Sequence, residues 1–529
     1  MRHFICAGAL LLIATMSAQS VHGQAFIGAN FSGGAGATIA LEPPDTMGSP
    51  GIDHYVQFIN GRFSIFNKST GAQISSVSSL VFWNNAGVTF GASDSRSDPR
   101  IFFDPSVNRW FTTQIDVVNG NLASSNHFLL GVSNSADPTA GFTGFKFSIG
   151  TNFGDFDTLG VNADGLYLST NNFPLDAGPT TPPINTTIVS IPKADLLLAT
   201  PTIANRTQFT AESLNNEGNV VQPAIHFGAS GGHEALLGMS NTVTTAIQKT
   251  NMFNAAQQTA GAATLSSSTS ITIPSAPNPP AALQPGGTLD SIDNRLSQVI
   301  QVGSTLWMAQ CTSIGGRAGV QWYKIDEPTG ALVQTGQIAD ANYDFIDPSI
   351  AANPSGDVVI GYTRSSSGAG SFASACASVG STSGGVVSFG APVVLKAGVA
   401  TYTGTRWGDY SATYTDPTDP GIFWTNQEWA TTGSNNWSTQ MTEIIIKGTG
   451  EARWASAASG NFSTASNWLG SSAPGTGTHA IFSRSVGPGG AGYTVTMPTG
   501  TTTISRLSIR QGSMTLNLGG GTLSMPSNL

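Results

Sequence analysis

An all-β fold is what this sequence predicts, and three observations carry the prediction. Pairs of short apolar strands recur at a spacing of roughly 40–60 residues, joined by turns rich in Gly or Asp-Pro. Several of these units open on Asp: Asp157-Thr158-Leu159-Gly160-Val161 turns at Asn162-Ala163-Asp164-Gly165 and returns through Leu166-Tyr167-Leu168-Ser169. No segment sustains a helical period, the run Ala194 to Leu198 being the one short-helix candidate. One β unit repeated at this period reads as sheets set radially about an axis, a β-propeller of about seven blades with six as the alternative.

Composition agrees. The chain has 529 residues, 63 of them Gly, with 10% charged and 40% hydrophobic residues. That is enough apolar mass for a core and too little charge for a disordered chain. A formal net charge of -9 argues against nucleic acid, whose phosphates require a basic face.

At the N-terminus Arg2 and His3 precede the apolar run Phe4 to Met16, and small and polar residues follow as far as Gly23. This is the pattern of a secretory signal peptide over 1–23, so a secreted or cell-surface location is expected. Cys6 falls inside it, which leaves Cys311 and Cys376 in the mature chain. In an oxidising compartment an even pair is a disulfide candidate, two free buried thiols being the alternative.

Residues 24–43 read as a Gly/Ala/Ser-rich lead-in, and 44–448 as the propeller. Its first unit holds Asp45 and the strands His54 to Ile59 and Arg62 to Phe66, joined by the hairpin turn Asn60-Gly61. The second opens at Asp98-Pro99-Arg100, and the third at Asp157. A fourth around Gln222 to Phe227 lacks the leading Asp, and a Ser/Thr/Pro-rich stretch at 254–288 reads as an elaborated outer strand and loop. The fifth opens at Asp293, the sixth at Asp347-Pro348, and the seventh runs from Arg406-Trp407-Gly408-Asp409-Tyr410 into Ile422-Phe423-Trp424-Thr425. Trp110, Trp307 and Trp424 are expected to fill the space between blades. After Gly448 acidic residues nearly vanish. Short strands such as Tyr493 to Met497, Ser505 to Ile509 and Met514 to Leu518 predict a β-solenoid-like C-terminal module over 449–529, ending on an open rung.

The stretch Asp45 to Ile446 resembles secreted bacterial proteins with a sialidase-like or BNR-type β-propeller. The residues that carry the resemblance are Pro43-Pro44-Asp45-Thr46-Met47-Gly48, Ser97-Asp98-Pro99-Arg100 with Asn108-Arg109-Trp110-Phe111, and Arg406-Trp407-Gly408-Asp409-Tyr410. The tail, with Gly460-Asn461-Phe462 and Asn467-Trp468, resembles autotransporter-associated β-strand repeats. The Asp-box of true sialidases, Ser-x-Asp-x-Gly-x-x-Trp, is absent, which weakens any transfer of glycosidase activity.

Three constellations could carry chemistry. Asp98, Asp157, Asp293, Asp347 and Asp409, with Asp45, would ring one mouth of a propeller channel. Converging carboxylates suit Ca²⁺, whereas the plainer expectation is that each accepts backbone N–H bonds at a strand start. Arg100, Arg295 and Arg406 hold similar positions in three units. The sialidase-like resemblance implies an acidic-sugar clamp for them, and pairing with neighbouring aspartates is the alternative. Tyr343, Tyr410 and Glu428 are the catalytic candidates should the protein hydrolyse glycosides. His233-Glu234 lacks the second histidine of a zinc-protease helix. Trp429 and Trp437 could stack on sugars or finish a blade edge.

The leading expectation is a non-catalytic binding or display module, with carbohydrate or a cell-surface polymer as partner. A sialidase-like glycoside hydrolase and a purely structural surface protein are the rivals. No cofactor beyond Ca²⁺ and no transmembrane anchor is expected.

Overall fold

The computed structural model describes residues 23–39, 41–175, 178–228, 231–433, 435–487 and 489–526. The stretch expected to be a signal peptide lies outside the described residues, save Gly23. No helix among them is long and apolar enough to cross a membrane.

The chain is all-β, and antiparallel sheets follow one another in sequence order. Met47–Pro50, His54–Ile59, Arg62–Asn67 and Gln73–Ser78 form one such sheet, and Ser95–Asp104, Arg109–Val117, His127–Ser133 and Phe142–Ser148 the next. The pattern repeats from the leading strands Phe153–Val161, Asn219–Ile225, Leu296–Val302 and Asp344–Ala352. It ends with Ala412–Thr415, Ile422–Ala430 and Trp437–Gly448. Each leading strand packs on the next. Phe153–Val161, Asn219–Ile225 and Leu296–Val302 even pair in parallel, and Ala412–Thr415 returns to pack against Met47–Pro50. The leading strands therefore form a ring of contacts, the radial arrangement of a propeller.

The stretch read as a lead-in behaves differently from expectation. Gly23–Ala35 is a strand that pairs antiparallel with Trp437–Gly448, so the first described residues complete the sheet built by residues four hundred positions later. Such a seam ties the two ends of the repeat together and removes the exposed edges they would otherwise leave. Glycine content hid it: Gly28 and Gly33 sit where a Cβ would run into Glu443 and into Gln57 with Thr439, so smallness there serves close packing. Phe26 anchors the seam, fully buried with Tyr55, Trp424, Met441 and Leu469. Phe26→Ala is expected to cost about 3–5 kcal/mol, read as a fall in the denaturant midpoint at unchanged slope.

Other expectations meet the structure in detail. The short helix spans Lys193–Leu196, while a helix at Ser79–Asn85, capped by the Ser78 hydroxyl, carries the buried Phe82 and Trp83 and had no clear periodic signal. Trp110, Trp307 and Trp424 are buried. Trp429 and Trp437 are not surface stacking platforms: both are buried, and the Trp437 indole donates to the Leu41 carbonyl at 2.8 Å. Cys311 and Cys376 are free, buried thiols, which corrects the disulfide candidate. Cys311 Sγ faces the Phe345 carbonyl of the neighbouring sheet, and Cys376 lies within a strand paired to Tyr362 and Val394.

After Gly448 the pairing changes sense. Glu451–Arg453, His479–Phe482 and Arg506–Ile509 stack in parallel, as do Gly460–Asn461, Tyr493–Thr496 and Met514–Asn517. Trp454, Phe462, Trp468, Phe482 and Tyr493 fill the space between these sheets. The stack is fastened to the preceding sheets by Arg453 and Arg510, which both reach the fully buried Asp419, and by Arg484, which holds Glu443 at 2.9 and 3.0 Å.

Candidate functional site

Leading strands converge at one end of the ring, and the way they begin shapes that end. Asp45, Asp98, Phe156, Val220, Ile292 and Asp347 all have φ between 50° and 59°. Asp tolerates the left-handed region through local hydrogen bonding. Phe, Val and Ile do not, so the backbone there is strained and held by its surroundings. Register slips beside Asp98, Phe156, Val220 and Asp347 mark bulges that turn the chain from the mouth down into the strand.

The aspartates first serve as stitches between neighbouring sheets. Asp45 accepts the Asn60 amide at 2.7 Å and the Asp409 N–H at 3.2 Å. Asp98 accepts the Phe156 N–H at 2.9 Å and the Ser97 hydroxyl at 2.6 Å, while its own N–H donates to Asn60. Asn60, read from sequence as a turn residue alone, thus joins two leading strands by its side chain.

Above these stitches lies a cavity of about 500 Å³ lined by Asp45, Asp98, Asp155, Asp293 and Asp409, with Arg295, Arg406, Asn171, Asn219 and Phe173. Arg295 grips Asp293 through two bonds of 2.7 Å, and Arg406 binds Asp290 at 2.9 Å and Asp409 at 2.5 Å. Arg100 does not reach the mouth. It is buried, its Nε donates to the Asp157 carbonyl, and its guanidinium lies 3.4 Å from the Tyr410 ring centroid. The three arginines therefore form no common clamp, and the two at the mouth already have carboxylate partners.

Below the mouth the axis is stoppered. Arg295 stacks 4.1 Å from the Phe156 centroid, Phe156 meets Tyr410 edge to face at 5.3 Å, and the Arg100 guanidinium lies over both rings, 4.9 Å from Phe156 and 3.4 Å from Tyr410. A remnant just large enough for one water lies beneath, lined by Asp293, Asp347, Asp409, Tyr410 and Cys311. Asp347, 6% exposed, has no hydrogen-bond partner for either carboxylate oxygen.

Burial and like charge set the protonation of this site. Burial, then Asp98 and Asp409, push the Asp155 carboxyl up to about 8. Burial likewise raises Asp45, Asp157, Asp347 and Asp409, the last despite Arg406 and Arg295. Burial would raise Asp293 too, but the Arg295 guanidinium holds it below the usual carboxylate range. The mouth thus sets a carboxyl that keeps its proton, Asp155, beside one held ionised, Asp293.

The sequence-selected residues divide accordingly. Asp45, Asp98, Asp293, Asp409, Arg295 and Arg406 meet at the mouth. Asp157 sits deeper, bonded to the Thr113 hydroxyl, and Asp347 lies under the stopper. Among the described residues no three Asp, Glu, His or Cys side chains come together as a set able to hold a metal ion. Tyr343 lies under the Arg364 guanidinium, away from the mouth. The Tyr410 hydroxyl donates to the Pro99 carbonyl, and buried Glu428 accepts the Gly408 N–H, so the three catalytic candidates do not line the mouth. Asp155 and Asp290 were missed. Asp155 precedes a bulged Phe in the left-handed region, and nothing in residue type announces that shift of register.

No family model matches the sequence, and no curated protein matches it. Among solved structures, Drosophila Plexin A in complex with Semaphorin 1b aligns at a TM-score of 0.37 and 7% identity, over 82% of this chain and 88% of that one. Hydrazine synthase of Kuenenia stuttgartiensis aligns at 0.34 and 13%, over 61% and 72%. The exo-beta-1,3-galactanase of Phanerochaete chrysosporium aligns at 0.32 and 12%, over 79% and 100%.

Proposed function

We propose that this chain is a secreted, seven-bladed propeller, its last blade completed by Gly23–Ala35, that binds a neutral saccharide at its axial mouth. The C-terminal stack, read as a short solenoid, carries that mouth at a cell surface or in a matrix. One observation bears most of the weight: the mouth is a blind pocket of carboxyl groups whose only guanidinium groups are already neutralised. An acidic sugar would find no free guanidinium there to pair with its carboxylate, which argues against a sialidase-like clamp. Hydroxyl groups, each both donor and acceptor, suit a pocket that holds protonated and ionised carboxyls together.

The test is binding of the purified protein to an immobilised glycan panel, repeated with Asp155→Asn and Asp409→Asn. Neutral glycans should bind and acidic ones should not, and each variant should weaken binding by about tenfold, the equivalent of one lost hydrogen bond. Preference for sialylated or uronic glycans would overturn the reading, and silence across the panel would favour a purely structural role.

A hydrolytic reading draws on the opposed shifts of Asp155 and Asp293, one carboxyl kept protonated and another kept ionised, which is the division of labour glycosidases require. Release of reducing ends from a bound neutral glycan, lost in Asp155→Asn, separates this from binding alone.

A further inference from the structure

The mouth is not an isolated pocket. A second cavity of about 680 Å³ adjoins it and shares Asn219 and Asp293 as walls. Beyond that shared edge the lining changes character. Asn241, Thr242, Thr244, Asn278 and Asn294 replace the carboxylates, and Asp293 is the one charged residue along it. Asn241, Thr242, Thr244 and Asn278 are exposed. Their side chains make local hydrogen bonds of 3.1–3.4 Å with Asn215, Ser240, Ser275 and the Asn294 N–H, and each amide or hydroxyl keeps further donor and acceptor capacity for a ligand. At the other end the mouth is sealed by the Arg295–Phe156–Tyr410–Arg100 stack, with the unpartnered, buried Asp347 just beneath it. A blind charged pocket opening sideways into an uncharged, hydrogen-bonding trough has the shape for a chain whose end is held and whose body runs outward.

Resting on the saccharide reading above, we infer that the ligand is a linear neutral glycan of several sugars. Its terminal sugar occupies the carboxylate mouth, and the following sugars cross Asn219 and Asp293 into the amide trough. Uncharged Asn and Thr side chains contribute about 1 kcal/mol per hydrogen bond, so affinity accrues with each sugar until the trough is filled. A charged chain gains nothing from a lining of amides and hydroxyls.

Calorimetric titration with gluco-, manno- and xylo-oligosaccharide ladders of increasing length tests this. The wild-type dissociation constant should fall by about fivefold per added sugar over the first steps and then level off. Asn241→Ala with Asn278→Ala should flatten that dependence while leaving the shortest ligand's affinity unchanged, whereas Asp409→Asn should weaken every length alike. Equal affinity for short and long members of a ladder overturns the trough while the mouth reading stands. Absence of binding at every length overturns both, as does capture of unstructured peptides in place of glycans. Both asparagines being exposed, the double variant is expected to keep the wild-type melting temperature, and a lowered one would show that they act structurally, against the inference.

Discussion

Asp419→Ala is expected to destabilise the protein by about 3–5 kcal/mol and to loosen the C-terminal stack from the sheets that precede it. Asp419 is fully buried in the Asp419-Pro420-Gly421 turn, and it receives Arg453 at 2.6 Å and Arg510 from two different rungs of the stack. Removing the carboxylate leaves Arg453, 2% exposed, with Glu451 at 3.0 Å on its Nε and nothing in place of Asp419 on its Nη1, and it is this half-paired buried charge rather than the lost attraction that sets the size of the effect. Burial would raise the Asp419 carboxyl, but Arg453 and Arg510 hold it below the usual range. A depressed folded-state value means the contribution is complete above the unfolded value of about 3.9 and fades as pH falls through the lower folded value. Wild-type docking should therefore persist at pH 5 and fail only in stronger acid. Thermal unfolding, together with trypsin cleavage between Lys447 and Arg453, reads both effects. An unchanged melting temperature and an uncut junction would show that the Arg484–Glu443 pair and the apolar contact of Leu469 with Phe26 and Trp424 hold the stack without Asp419.

Asp347→Asn is expected to stabilise the protein by an amount that is small near pH 4 and grows as pH rises. Both carboxylate oxygens of Asp347 are buried without partners, and burial, then Asp409 and Asp290, raises its carboxyl well above the ordinary range. The folded chain keeps a proton that the unfolded chain loses near 3.9, so stability falls with rising pH from there up to the folded value. The slope is about 1.4 kcal/mol per pH unit for one proton. Asn is neutral, nearly isosteric, and accepts the φ of 51° found at this position. Asp155, raised to about 8, adds a second contribution of the same sign that the substitution leaves in place. Melting temperatures of both proteins from pH 5 to 9 provide the measurement. Equal destabilisation across that range would mean that the Asp347 proton plays no part.

Much of the architecture could be read from residues in order, because the signals are local. Alternating apolar residues, Asn60-Gly61, Asn353-Pro354-Ser355-Gly356 and Asp419-Pro420-Gly421 each act within a few positions of themselves, and the strands and hairpins they predict stand in the structure. The Asp repeated at the head of most units was likewise legible as a mouth-facing residue for Asp45, Asp98, Asp293 and Asp409.

What tertiary structure alone decided depends on partners far apart in the chain. Gly23–Ala35 became a strand because Trp437–Gly448 offered an edge, and a glycine-rich stretch carries no trace of that offer. Whether an arginine clamps a ligand or neutralises a neighbour turns on ångströms between strands, which spacing does not encode: Arg295 found Asp293, Arg406 found Asp290 and Asp409, and Arg100 slid under Tyr410. Asp155 came to the mouth through a bulge at Phe156, a backbone state that bulky residues avoid unless surrounding contacts impose it. Local preference chose the strands of this protein. Packing between strands chose which of their polar groups face a ligand, since burial and charge are properties of neighbours brought together by the fold.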